Sequence, residues 1–109
     1  MNVQGKAEWI EDVAREVKKY IKMGKYRITK HAQERQEQYK ITLPELMYVL
    51  SNGIHEKDKT LFDNLFQSWK YAIRGKTIDT QIDLRIIIAF ENEMAVLTVI
   101  HLGQKRRKK

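Results

Sequence analysis

The chain has 109 residues, no cysteine, and 21 basic against 14 acidic side chains, a formal net charge of +7. That length suits one domain with a single packed core, and the absence of thiols excludes disulfides and thiolate zinc sites. No apolar run approaches the roughly 20 residues needed to cross a bilayer, and Met1 to Glu11 lack the apolar centre of a signal peptide, so a cytoplasmic protein is expected, neither secreted nor membrane-embedded.

From Ala7 to Met23 the apolar residues Trp9, Ile10, Val13, Val17, Tyr20 and Ile21 recur at helical spacing, and Gly24 closes the segment. An amphipathic first helix is predicted within residues 1–25. Tyr26 to Thr29 read as a short connection, with Thr29 placed to cap a second helix running through His31, Ala32 and Arg35 toward Gln38. Thr42-Leu43-Pro44-Glu45 has the form of a capping box, with Pro tolerated in the first turn, so a third helix starts there. Its apolar face is Leu46, Met47, Val49 and Leu50, and Asn52-Gly53 reads as a left-handed stop.

Asp58 to Gln67 fit neither a helical nor a strand pattern uniquely. Trp69, Tyr71 and Ile73 then alternate with polar or small residues, the period of a half-buried strand, and Gly75-Lys76 punctuates its end. Ile82 to Phe90 and Met94 to Leu102 are rich in β-branched residues and separated by Glu91-Asn92-Glu93, a hairpin-length connection. The unbroken Ile86-Ile87-Ile88 suggests strands covered on both faces, one of them by the helices. The expected fold class is therefore α+β, N-terminal helices packed on one face of an antiparallel sheet, with no repeat, linker or second domain.

Five of the basic residues, Lys105 to Lys109, form a tail (103–109); without them sixteen basic residues face fourteen acidic ones. A pI near 9.7 invites a nucleic-acid partner, because Lys and Arg neutralise phosphates, but a basic tail is also what a solvated chain end looks like.

His31-Ala32-Gln33-Glu34-Arg35, then Ile41-Thr42 with Glu45, Val49-Leu50, Asn52-Gly53-Ile54 and finally Val96-Leu97-Thr98-Val99 form an ordered set. In order and spacing, over roughly Tyr26 to Leu102, this set resembles a group of small bacterial proteins in the RelE/ParE toxin superfamily, near MqsR and often encoded beside MqsA-type antitoxins. The family pattern commonly has a second Arg and then Gly before the Ile, where this chain has Tyr39 and Lys40. The resemblance implies a RelE/ParE-like domain over 26–102, helices on one face of a curved antiparallel sheet, and a type II toxin that binds RNA and an antitoxin protein.

His31 and Arg35 are four apart, so a helix stacks them on one face, where an imidazole and a guanidinium can address the same phosphate. RNA cleavage needs a proton acceptor, a proton donor and cations near the phosphorus-bound oxygens, and histidine suits the proton roles near neutral pH. On this reading His31, Arg35 and His101 are catalytic, while Arg74, Arg85, Lys105, Arg106 and Arg107 hold RNA phosphates. The plainer reading stands beside it: His31 caps or props a turn, Arg35 ties helix to sheet, Arg74 and Arg85 pair with Asp79, Asp83 or Glu91, and His101 is merely exposed. Tyr26, Tyr39, Tyr48, Trp69 and Tyr71 are candidate stacking platforms for bases, with Trp69 and Tyr71 equally suited to the core. The three histidines have no metal-ligand spacing and no phosphate loop or Ser/Cys nucleophile motif is present, so neither metal nor cofactor is expected.

The favoured reading is a metal-independent endoribonuclease acting on mRNA. Competing with it are a non-catalytic ParE-like inhibitor of a protein such as gyrase, and a module that only binds nucleic acid or a partner. Homodimerisation through a sheet edge is also open.

Overall fold

The computed structural model describes residues 8–104. Helix α1 (Val13–Lys22) opens at Asp12, whose side chain accepts a hydrogen bond from the Arg15 amide at 3.1 Å. The helix thus begins later than the apolar periodicity suggests. Trp9 and Ile10 precede it outside any helix or strand, tied down because the Tyr71 hydroxyl accepts from the Ile10 amide at 2.9 Å, while the Trp9 ring meets Trp69 edge-on at 4.8 Å. Tertiary contact, not helical phase, accounts for their apolar character.

Tyr26–Ile28, read from sequence as a connection, forms strand β1, parallel to β6 in the register Tyr26 to Met94, Arg27 to Ala95 and Ile28 to Val96. The sheet is therefore mixed, where an antiparallel one was expected. Three residues carry no periodic signal of their own, and the pairing reaches across most of the chain. Helix α2 (Lys30–Tyr39) follows under a Thr29 cap, with Thr29 Oγ1 accepting from the Ala32 amide at 3.1 Å and donating to the Leu97 carbonyl at 3.0 Å.

Helix α3 (Leu43–Asn52) begins with the predicted capping box: Thr42 Oγ1 accepts from the Glu45 amide at 3.2 Å, and Glu45 Oε1 accepts from the Thr42 amide at 2.9 Å. It does not end on a left-handed residue. Gly53 has φ −78° and ψ 176°, extended backbone open to any residue. Glycine is needed there for space: a Cβ at Gly53 would sit 2.7 Å from the carbonyl oxygens of both Arg74 and Val49.

Strands β2 (Ile54–His55), β3 (Leu61–Asp63), β4 (Ser68–Lys76), β5 (Ile82–Phe90) and β6 (Met94–Gln104) complete the fold, with a short 3-10 turn at Lys57–Lys59. The long strands run β6-β5-β4 as an antiparallel set, β1 closing one edge and β2 the other, while β3 pairs with β4. The undecided stretch before Trp69 is thus one arm of a β3–β4 hairpin. Asp63 Oδ1 accepts from the amides of Leu65 and Phe66 at 2.9 and 3.1 Å to make its turn, leaving both side chains exposed at the tip.

Tyr71, Ile73, Leu84, Ile86, Ile88, Phe90, Met94, Val96 and Val99 face Val13, Val17 and Tyr20 of α1 and Leu46, Val49 and Leu50 of α3 in one continuous core. Alternation along β5 sends every second residue inward, burying Ile82, Leu84, Ile86, Ile88 and Phe90. The chain is α+β, with three helices ahead of strands β2 to β6 and packed on one face of the six-stranded sheet that β1 joins. Among the described residues no helix is long and apolar enough to cross a membrane.

Candidate functional site on helix 2 and strand 6

Helix α2 starts beside Leu97 of β6, through the Thr29 hydrogen bond, and ends with the Tyr39 ring 5.1 Å from the His101 ring. It therefore runs alongside β6 in the strand's own direction. Ten helical residues advance roughly 15 Å and the four steps from Leu97 to His101 roughly 13 Å, so helix and strand keep in step. Ala32 is the residue that α2 buries, while His31 is exposed and Arg35 half-buried.

His31, Arg35 and Tyr39 fall at i, i+4 and i+8, one face of α2. Arg35 occupies the middle and donates from Nη1 to Gln38 Oε1 at 2.7 Å, and its remaining guanidinium N–H groups have no partner among the described residues. Tyr39 brings His101 to the far end of the row. The two imidazoles thus belong to opposite ends, with Arg35 one turn, or roughly 6 Å, from each of His31 and Tyr39 along the axis. His31, Arg35 and His101 lie along one surface, though His31 and His101 do not form a touching pair. Tyr39 joins them, and its spacing from His31 is the sequence signal for it; that its ring meets His101 is not written in any local pattern.

Arg74 and Arg85 are placed differently. Arg85 donates from Nε to Glu56 Oε1 at 2.6 Å and from Nη2 to Oε2 at 3.3 Å. Arg74 grips Asp83 with two bonds, Nε to Oδ1 at 3.1 Å and Nη2 to Oδ2 at 2.6 Å, and reaches Glu56 Oε2 at 3.5 Å. Two forked guanidinium–carboxylate pairs thus join β4, β5 and Glu56, the residue that follows β2. The Arg85 hydrogen bond first, and then its charge with that of Arg74, holds the Glu56 carboxyl below the usual carboxylate range; Asp83 is lowered chiefly by its bond to Arg74. A phosphate approaching either arginine would compete with a carboxylate already bound to it. The Arg74–Asp83 pair is among those the sequence suggests, whereas the Glu56–Arg85 pair spans 29 residues and leaves no local signal. Lys105, Arg106 and Arg107 lie outside the described residues.

His55, on β2, is walled by Trp9 and Tyr71, ring centroids 5.5 Å from each. Its Nε2 lies 2.9 Å from Thr60 Oγ1, a hydroxyl that already donates to the Glu56 carbonyl at 3.0 Å, so the imidazole is the donor in that contact. Nδ1 is buried with no partner among the described residues. Burial, with the charge of Lys57 assisting and Glu11 opposing, lowers its pKa from 6.5, and His55 is a neutral structural residue at neutral pH.

Residues 28–101 match the family described as a domain of unknown function, DUF4258, and the chain belongs to that family. The matched segment begins in β1 and ends at His101, taking in the whole His31–Arg35–Tyr39–His101 row and leaving α1 outside. No curated protein and no solved structure matches the chain.

Proposed function

We propose that this chain is a cytoplasmic RelE/ParE-like toxin that cleaves mRNA along the α2–β6 row, and that an antitoxin protein silences it by covering that surface. One observation carries the reading: a guanidinium on α2 with an imidazole toward each end of the same helix face, gathered from residues 31 to 101. Arg35 would bear the charge that builds on the phosphorus-bound oxygens. One imidazole takes the 2′-hydroxyl proton as that oxygen bonds to phosphorus; the other, at the far end of the row, supplies a proton to the 5′-oxygen through intervening water as its bond to phosphorus breaks. The products are a 2′,3′-cyclic phosphate and a free 5′-hydroxyl, and proton acceptor and donor exchange states. Tyr39 restrains the His101 ring and offers a face on which an unpaired base can stack.

The test compares wild type with Arg35→Ala on a defined single-stranded RNA in EDTA, the new ends being read by sequencing. The expected result is cleavage by wild type alone, with those ends. Equal cleavage by both proteins would remove Arg35 from the site, and none by either would move the reading toward the binding module, the gyrase-type inhibitor or a ribosome-dependent enzyme.

A further inference from the structure

The basic charge of this protein is not spread over its fold. From Val13 to Lys30 the chain carries Arg15, Lys18, Lys19, Lys22, Lys25, Arg27 and Lys30 against the single carboxylate of Glu16, a net +6. The family-matched segment 28–101 holds nine basic and ten acidic residues, a net −1. The structure adds a second segregation. On the sheet, Arg74, Arg85, Lys70 and Arg27 are all paired with carboxylates. On α1, Lys19 pairs with Glu16 at 3.6 Å, while Arg15, Lys18 and Lys22 have no carboxylate partner among the described residues and are exposed. These three stand at i, i+3 and i+7, one stripe, opposite the buried Val13, Val17 and Tyr20.

We infer that this α1 stripe is a docking surface for the phosphate backbone of single-stranded RNA, separate from the α2–β6 row and outside the part of the chain that the family shares. The ligand follows from the nucleic-acid reading above. Three unpaired cations over about 10 Å of helix match a polyanion with charges every few ångströms. Lys25, in the turn after α1, and Lys30, at the start of α2, continue the basic run along the chain. A lipid surface is the weaker fit: the apolar face of α1 is already spent on the core, so none is left to enter a bilayer.

The experiment measures binding apart from cleavage. A fluorescent 2′-O-methyl RNA, lacking the nucleophilic hydroxyl, is titrated with full-length protein between 50 and 200 mM salt. Wild type is compared with Arg15→Gln/Lys18→Gln/Lys22→Gln and with Lys57→Gln/Lys59→Gln/Lys76→Gln, which removes equal charge elsewhere. Losing three phosphate contacts should flatten the log–log salt slope by about two, so that the fourfold salt change costs about 15-fold less affinity than in wild type. The control should keep the wild-type slope. Equal slopes for the two triple variants, no RNA binding by wild type, or stripe-dependent binding to phosphatidylserine vesicles with none to RNA would each overturn the inference. Stripe-dependent RNA binding without cleavage of unmodified RNA would leave the docking surface standing and defeat the ribonuclease reading.

Discussion

Replacing Gly53 by alanine tests why the helix-ending glycine is there. Its φ of −78° imposes no conformational demand, so the whole penalty is steric. The new Cβ would lie 2.7 Å from the Arg74 and Val49 carbonyl oxygens and 2.9 Å from Ile73 Cγ2. Two of those atoms are backbone and cannot swing aside. Retreat is blocked as well, since the Gly53 amide donates to the Val49 carbonyl at 2.7 Å and the next residue, Ile54, pairs with Arg74. Overpacking of this kind costs about 1–3 kcal/mol, and the rigid surroundings place Gly53→Ala at the upper end, a fall in Tm of roughly 12 °C or more for a domain of this size. Gly24 is the control: its φ is +68° with nothing within 4 Å, so Gly24→Ala should lose only about 1 kcal/mol, from backbone conformation alone. Gly53→Asn separates the explanations, because asparagine tolerates a left-handed stop yet still brings a Cβ. Thermal denaturation followed by circular dichroism measures all three. A Gly53→Ala protein within about 1 kcal/mol of wild type would refute the close-approach argument.

Lys40 holds the left-handed position after α2, with φ 58° and ψ 47°, where the resembled family commonly has glycine; Lys40→Gly should raise Tm by a few degrees, and no change or a loss would show that the turn carries no strain. Because the folded-state pKa of His55 is lowered from 6.5, its contribution is present above that pH and lost as pH falls toward the folded value, where the unfolded chain binds the extra proton. Urea midpoints at pH 7.5 and 5.5 should therefore differ more for wild type than for His55→Gln, and parallel behaviour would refute the assignment. Glu56 and Asp83 are also lowered, Glu56 from 4.5, so their contribution is complete above about pH 5 and fades as pH drops through the folded values. Glu56→Gln should lower Tm at pH 7 and flatten the acid limb of the stability curve; an unchanged acid limb would show that the pairs do not hold the sheet.

What the sequence settles by itself is whatever a few neighbouring residues decide. The capping box at Thr42 and Glu45 and the Thr29 cap close within three residues, and the β5–β6 hairpin follows from alternation joined by a short turn. The stacking of His31 over Arg35 needs only the helical repeat. The rest is decided by residues far apart in the chain, for which no local period exists. Three residues become β1 because β6, nearly 70 positions later, offers an edge. Trp9 is apolar because Trp69 and Tyr71 wait for it, not because a helix passes through it. Arg85 looks like a free strand cation until Glu56 arrives from the turn after β2. Net charge is likewise a one-dimensional count; which cations stay unpaired depends on folding, which sets Arg27, Lys70, Arg74 and Arg85 of the sheet against carboxylates and leaves the α1 stripe without any among the described residues.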